Sequence, residues 1–311
     1  MITKYNTKKT RNQEISKFTG KHFSENGQRR FCECGDWIEG FADREMTKLK
    51  VYQANFCNKD RWCSMCAYRK AHKDAMKISV LMEYTEKEHG KAFIFVTLTA
   101  PNVKGDDLKD EITRYNKAFK NLCKRDEVAK INQGYIRKLE VTYNAERDDY
   151  HPHFHCVFAV NKSYFKSRDY IKQEKWLDLW RDVMKDPTIT QVDVRRVKRG
   201  GTDGRDKAIN EVAKYAAKDS DYSISQSVFD VFYKALKGRQ VLTFNGLFTQ
   251  ANKKYKAGEL DSYKTKDDTE YVWLLLYRWG GSEYLEKRRK EITEEEYWEL
   301  KKEAVDEVAV T

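Results

Sequence analysis

The stretch Tyr150-His-Pro-His-Phe-His-Cys-Val-Phe-Ala-Val160 constrains this chain more than any other. Three of the chain's six histidines stand in it, at 151, 153 and 155. The run that follows them is β-branched, aromatic and apolar, which reads as a strand. Side chains alternate between the two faces of a strand. His151, His153 and His155 therefore share one face, and Phe154, Cys156, Phe158 and Val160 share the other. Imidazole is the commonest metal ligand among side chains. At a rise of roughly 3.3 Å per residue, His153 and His155 stand about 6.6 Å apart along the strand, close enough to grip one ion, whereas His151 and His155 stand about 13 Å apart. The spacing predicts two ligands from this strand, His153 and His155, and a third from elsewhere.

The third is offered just upstream. Tyr135 to Tyr143 alternates, with Tyr135, Leu139, Val141 and Tyr143 on one face and Lys138, Glu140 and Thr142 on the other. A polar connection, Asn144 to Asp149, leads into the histidine strand, so the two segments read as a hairpin with a longer loop. Its polar face carries Glu140 beside His153 and His155. The competing reading is a half-exposed hairpin with incidental histidines.

Composition narrows the partner. The chain has 311 residues and a formal net charge of +11, with 13% aromatics among its cations. That balance points to a polyanionic partner, nucleic acid ahead of membrane, with rings available for base stacking. No stretch is long and apolar enough for a transmembrane span, and the first residues lack the apolar core of a signal peptide. Seven cysteines, an odd and clustered set, argue against a secreted disulfide framework. The expected location is the cytoplasm.

Five of those cysteines lie between residues 31 and 70. Cys63-Ser-Met-Cys66 has the two-residue gap of a zinc knuckle. Cys57 precedes it, and Cys34-Gly35 offers a fourth ligand, completing the four that a closed structural zinc site requires. Cys32 is the spare. Arg61, Arg69 and Lys70 surround the knuckle and are candidate phosphate contacts. Residues 1–30, polar and basic, read as a flexible arm, and the expected divisions are 1–30, a zinc module at 31–75, a domain at 76–222 that holds the histidine hairpin, and a C-terminal α/β region at 223–311.

Between these landmarks the pattern predicts a helix near 74–87, a central strand over Ala92–Thr99, helices over 106–124 and 168–185, and a strand over 189–197. Lys198 to Asp206 is a basic, Gly-rich loop, in which Lys198 and Arg199 are candidate DNA contacts. Residues 206–218 read as a short helix whose apolar face is Ile209, Val212, Ala213, Ala216 and Ala217. Glu211, Tyr215 and Lys218 fall opposite that face, and Lys214 and Lys218, flanking the tyrosine, are further candidate DNA contacts. Further on come a strand at 240–244, a helix at 247–256 and a buried strand at 272–277. Thr293-Glu-Glu-Glu296 is a capping box opening a charged terminal helix.

Taken in order, Cys34-Gly35, Cys57 to Cys63-Ser-Met-Cys66, Phe95-Val-Thr-Leu-Thr99, Tyr150-His-Pro-His-Phe-His155, Glu211-Val-Ala-Lys-Tyr215 and Gly246-Leu-Phe248 resemble the rolling-circle replication initiators of small bacterial plasmids, in the HUH endonuclease superfamily. The resemblance covers most of residues 31–280. It implies an α+β fold, with a five-stranded antiparallel sheet, a metal on its face and the tyrosine helix alongside. It implies Tyr215 as the single nucleophile on the scissile phosphate, Glu211 in the terminating cleavage, and Glu140, His153 and His155 around a catalytic ion. Two imidazoles with one carboxylate favour Mn²⁺ on ligand softness, with Mg²⁺ favoured by abundance. The implied partners are double-stranded origin DNA, single-stranded DNA, a host helicase and the replication machinery. No Gly-x-x-x-x-Gly-Lys-Ser/Thr loop is present, so unwinding is expected from that separate helicase. Two other readings share these features: a relaxase or transposase of the same superfamily, and a zinc-containing DNA-binding protein without catalysis.

Overall fold

The computed structural model describes residues 2–198, 204–303 and 308–310. Among them, chain order runs α1 (Thr3–Thr19), α2 (Glu25–Cys32), β1 (Trp37–Asp43), β2 (Leu49–Ala54), α3 (Ser64–His89), β3 (Lys91–Thr99), α4 (Leu108–Leu122) and α5 (Asp126–Ile131). It continues through β4 (Gly134–Asn144), β5 (Asp149–Asn161), α6 (Gln173–Met184), β6 (Val192–Val197), α7 (Arg205–Ala213), α8 (Asp219–Tyr222) and α9 (Gln226–Leu236). It closes with β7 (Leu242–Phe244), α10 (Leu247–Lys256), β8 (Tyr271–Trp279), β9 (Tyr284–Glu291), α11 (Glu294–Glu303) and β10 (Val308–Val310). The chain divides into two units, one of residues 1–73 with 265–311 and the other of residues 74–264. No helix of the described residues is long and apolar enough to cross a membrane.

The unit of residues 74–264 is built on a five-stranded antiparallel sheet in the order β6-β3-β5-β4-β7. The hairpin expected from alternation is its centre. One face of β5 carries Phe154, Cys156 and Phe158, all fully buried. It packs on α4 and α6 through edge and tilted ring contacts, with Tyr115 and Phe119 against Phe154 at 5.5 and 5.6 Å and Trp176 against Phe158 at 5.7 Å. The α4 stripe of Leu108, Ile112, Tyr115, Phe119 and Leu122 is buried throughout, as its helical spacing dictates. The opposite face is apolar in one half, where Phe93, Phe95, Ile136, Val157 and Ala159 join Ile78 and Leu81 of α3, Ile209 and Val212 of α7 and Phe248 of α10 in a core cluster. The other half of that face is where the histidines stand.

The Gly246-Leu-Phe segment is an anchor for this sheet. Gly246 has φ 56°, and a Cβ there would lie 2.5 Å from the Gln133 carbonyl oxygen, so only glycine fits. The close approach lets Asn245 N–H donate to Tyr135 O at 2.9 Å and Leu247 N–H donate to Gln133 O at 3.0 Å. Phe248 then reaches the core and stacks on Phe93 with centroids 6.0 Å apart.

The unit of residues 1–73 with 265–311 holds a second antiparallel sheet, ordered β10-β2-β1-β8-β9. Here the structure corrects the expected divisions. Residues 265–311 do not form one region with 223–264: β8 pairs with β1, while β7 pairs with β4 in the other unit. Residues 3–32 are not a flexible arm but two helices. Tyr5 and Ile15 of α1 are fully buried, and the Lys9 amine donates to Cys32 O (2.9 Å), Cys34 O (3.0 Å) and Asp36 Oδ1 (2.6 Å). A polar side chain, satisfied by three oxygens, does the anchoring that an apolar stripe usually does. At the far end the capping box forms as its spacing requires: Glu296 N–H donates to Thr293 Oγ1 at 3.2 Å and Thr293 N–H to Glu296 Oε2 at 3.0 Å.

Candidate active site and metal centres

The β4–β5 register places Glu140 directly opposite His153, with Lys138 opposite His155 and Thr142 opposite His151. Cross-strand partners share a face, so the carboxylate and the imidazoles converge. His153 Nε2 lies 3.2 Å and His155 Nε2 2.9 Å from the same oxygen, Glu140 Oε2. All three side chains are buried. Burial by itself raises the Glu140 carboxyl, but hydrogen bonding to His153 and His155 outweighs it and holds the group well below the usual carboxylate range.

The outer nitrogens of both rings are also engaged. His153 Nδ1 is 3.2 Å from the His151 carbonyl oxygen, and His155 Nδ1 is 3.3 Å from Thr97 Oγ1. A carbonyl accepts only, so His153 carries its proton on Nδ1 when neutral and turns the Nε2 lone pair inward, which is the tautomer of a metal-ligating histidine. Two ligands at right angles about 2.1 Å from an ion stand about 3 Å from each other, close to the separations found. Glu140, His153 and His155 thus fit a single divalent cation. His151 lies outside this set; its ring sits 5.3 Å from that of His153, and what it gives the ligands is its backbone carbonyl.

The tyrosine segment differs from the expected helix. α7 ends at Ala213, and Lys214 adopts ψ 168°. Tyr215 therefore stands beyond the helix end in an irregular segment, half-buried, and the one-turn relation to Glu211 does not hold. The cause lies in the sheet. β7 and the residue before it reach only to Leu139 of β4, whose N–H donates to Val241 O at 2.8 Å, which leaves the edge of β4 short of partners beyond that point. A buried backbone N–H needs an acceptor, and Val141 N–H finds it in Ala216 O at 2.8 Å. That bond ties Ala216, beyond the end of α7, to the residue next to Glu140.

Glu211 remains on α7 and bridges outward and inward. One carboxylate oxygen takes a hydrogen bond from Lys214 Nζ at 2.6 Å, and the other stands 3.9 Å from His155 Nε2. Two groups that the spacing did not single out also belong to this neighbourhood. Thr97 orients His155, and β3 places it opposite that residue. Asp221 accepts from Tyr143 N–H at 3.4 Å; burial raises its carboxyl and the Glu140 charge adds to the rise. Thr97 was legible as a polar residue closing an apolar strand. Asp221 carried no signal, because only the fold of α8 brings it to β4.

In the other unit the sulfurs of Cys34, Cys57, Cys63 and Cys66 gather within 4.8 Å of one another. Cys63 Sγ is 3.4 Å and Cys66 Sγ 3.6 Å from Cys34 Sγ, and Cys57 Sγ is 3.7 Å from Cys66 Sγ. A tetrahedron with metal–sulfur bonds of ~2.3 Å has sulfurs roughly 3.8 Å apart, so these four fit one such ion. Cys32 is exposed and stays outside the cluster.

The candidate DNA contacts fare unequally. Lys70, Lys198, Lys214 and Lys218 are exposed, and Arg61 is half-buried. Arg69 points inward: it is buried, its guanidinium lies 4.0 Å over the Phe56 ring, and it donates to Asn58 Oδ1 at 2.9 Å. It braces the knuckle loop rather than offering itself at the surface. Arg199 lies outside the described residues.

The fold defines an α+β protein, and two of its side-chain clusters have the composition and spacing to hold a metal ion. The family model described as "Replication protein" matches residues 48–285. The chain belongs to this family of plasmid replication initiators. It is 49% identical over 227 residues to a "Protein rep" of Staphylococcus aureus, spanning 73% of this chain and 97% of that one. It is 35% identical to a "Protein rep" of Bacillus amyloliquefaciens over 80% of this chain and 79% of the relative. A Streptococcus pneumoniae "Protein rep" is likewise 35% identical, over 76% and 75%. No solved structure matches the chain.

Proposed function

We propose that this initiator starts rolling-circle replication by nicking one strand at its plasmid origin and later rejoining it. The observation that carries this reading is the convergence of His153 Nε2, His155 Nε2 and Glu140 Oε2 on one point, with the Tyr215 segment hydrogen-bonded to the strand that carries Glu140. Tyr215 Oη would bond to the scissile phosphorus as the bond to the 3′ oxygen breaks. The phenol gives up its proton and the departing oxygen takes one. The 5′ end is then held as a phosphotyrosine, so the energy of the phosphodiester is kept for rejoining. Glu140, His153 and His155 would hold Mn²⁺ or Mg²⁺, which polarises a phosphate oxygen and stabilises the charge that develops on it. Thr97 and the His151 carbonyl keep both rings turned toward that point.

The test is to incubate the whole protein with single-stranded origin DNA and Mn²⁺, then seek a covalent adduct and map it. Absence of any adduct with either Mn²⁺ or Mg²⁺, or an adduct on another tyrosine, defeats the assignment.

One nucleophilic tyrosine is consumed by the first attack, and ending a round needs a second. Glu211 would activate water against a phosphate held at the same site, a role supported by its 3.9 Å separation from His155. Glu211→Ala is expected to keep the first nick and the Tyr215 adduct but to lose the hydrolytic closing cut. A plasmid with two origin copies, scored for initiation and for release of a closed single-stranded circle, checks this. Normal release leaves Glu211 as the partner of Lys214 only.

The four-cysteine cluster is assigned a structural zinc. Coupled zinc binding and folding is worth on the order of 10 kcal/mol in small zinc modules, so Cys63→Ser should lower zinc content and thermal stability while sparing the chemistry of whatever fraction folds. Elemental analysis of protein purified without chelator decides it, since a zinc-free preparation with wild-type stability removes the assignment.

A further inference from the structure

The matched residues 48–285 leave out α1 and α2, and nothing in the nicking site uses these helices. They form a hairpin joined by residues 20–24, and they are fastened to the cysteine cluster. Lys9 donates to the Cys32 and Cys34 carbonyls, Asn12 Nδ2 donates to Phe31 O at 2.9 Å, and Gln28 Nε2 donates to Ser16 O at 2.9 Å. Lys59 of the knuckle loop lies 4.3 Å over the Phe23 ring in the turn. This much anchoring makes the hairpin a rigid platform.

What α2 presents outward is polar. Ser24 caps it through a hydrogen bond from Gly27 N–H at 3.3 Å, and Phe31 is turned fully inward. At 100° per residue the face opposite Phe31 holds Glu25, Asn26, Arg29 and Arg30, all exposed. Arg29 Nη2 donates to Asn26 Oδ1 at 3.1 Å, which holds the two side chains together and leaves the Asn26 amide and the rest of the guanidinium facing solvent. Residues 2–33 carry eight Lys and Arg against three Glu, so the hairpin is itself basic. Lys17 at the end of α1 and Lys21 in the turn are exposed.

We propose that this hairpin is a reader of double-stranded DNA, with α2 in a major groove. Asn26, Arg29 and Arg30 face base edges, and Lys17 and Lys21 face phosphates. A short helix held out by a longer one across a tight turn is an established way to enter that groove. An α-helix with its side chains is about 10–12 Å across, matched to a groove about 12 Å wide. Asparagine pairs with adenine and arginine with guanine in the geometry the groove offers. Single-stranded DNA is disfavoured as the occupant, because its binding relies on stacking rings and the exposed face of α2 has none. The proposal rests on the reading of the chain as an origin-nicking initiator, since such a protein must find one duplex site before cutting one strand of it.

The experiment selects binding sites with the whole protein from a pool of duplex oligonucleotides carrying a randomised segment. The wild type should enrich a motif. Asn26→Ala and Arg30→Ala should each lower affinity for that motif roughly 5- to 150-fold and relax the preference at a different position. Lys17→Ala with Lys21→Ala should weaken binding to all sequences alike and flatten the salt dependence. Nicking of a single-stranded oligonucleotide should be unchanged in every variant, which separates failure of this proposal from failure of the nicking reading. Enrichment of the same motif with unchanged affinity by Asn26→Ala and Arg30→Ala overturns it. So does intact duplex binding in variants that instead lose a co-purifying host protein, which would make the hairpin a protein-docking surface.

Discussion

Tyr215→Phe is expected to abolish both strand cleavage and the covalent protein–DNA adduct, while DNA binding stays within about twofold of wild type. The ring is retained, so the half-buried segment along β4 keeps its packing and its Val141–Ala216 hydrogen bond. Only the oxygen that would attack phosphorus is lost. Removing a covalent nucleophile commonly costs roughly 10⁴-fold or more in rate, whereas binding to nucleic acid rests on cations spread over the surface. The measurement is a denaturing gel of end-labelled single-stranded DNA after incubation with Mn²⁺, run beside a binding titration. A persisting adduct would move the nucleophile to another of the chain's tyrosines. Loss of binding in parallel with cleavage would show that the hydroxyl holds the segment in place rather than attacking.

The second large effect belongs to the histidines. His153→Ala and His155→Ala should each eliminate metal-dependent cleavage and weaken Mn²⁺ binding by at least ~100-fold, because each deletes one of three converging donor atoms. His151→Ala should do much less. The His151 group that meets the site is its carbonyl, 3.2 Å from His153 Nδ1, and alanine keeps a carbonyl. Its ring, 5.3 Å from that of His153, lies outside the donor set. Manganese titration followed by electron paramagnetic resonance reads affinity independently of cleavage. Equal loss in all three variants would show that His151 takes a ligand position and that Glu140 does not. Glu140→Gln offers a check on the same point, since it retains shape and burial but removes the charge that draws the cation.

The sequence by itself determined the hairpin and which side chains share its polar face, because both rest on local periodicity. A strand fixes alternation, so the histidines had to share a face and Glu140 had to lie on the polar side of its own strand. The antiparallel pairing then put Glu140 opposite His153. The α4 stripe, the buried strand β8, the helix at Leu247–Lys256 and the Thr293–Glu296 capping box were legible for the same reason. The gathering of Cys34, Cys57, Cys63 and Cys66 was legible from their number and spacing.

What was not legible came from long-range demands. The helix expected through residue 218 ends at Ala213, since an unpaired N–H at the edge of β4 takes the Ala216 carbonyl. No helical propensity near Tyr215 records that requirement. α1 lacks an apolar stripe because buried Lys9 and Asn12 anchor it through hydrogen bonds to backbone carbonyls 19 to 25 residues away. β9 reads as a charged run, Tyr284 to Glu291, and is a strand only because β8 lends it a ladder; as an edge strand it keeps charges outward, which also discourages pairing with another chain. The division of the chain followed the same logic. Residues 265–311 join the first 73 through the β1–β8 pairing, a contact between segments more than two hundred residues apart, which local pattern has no means to express.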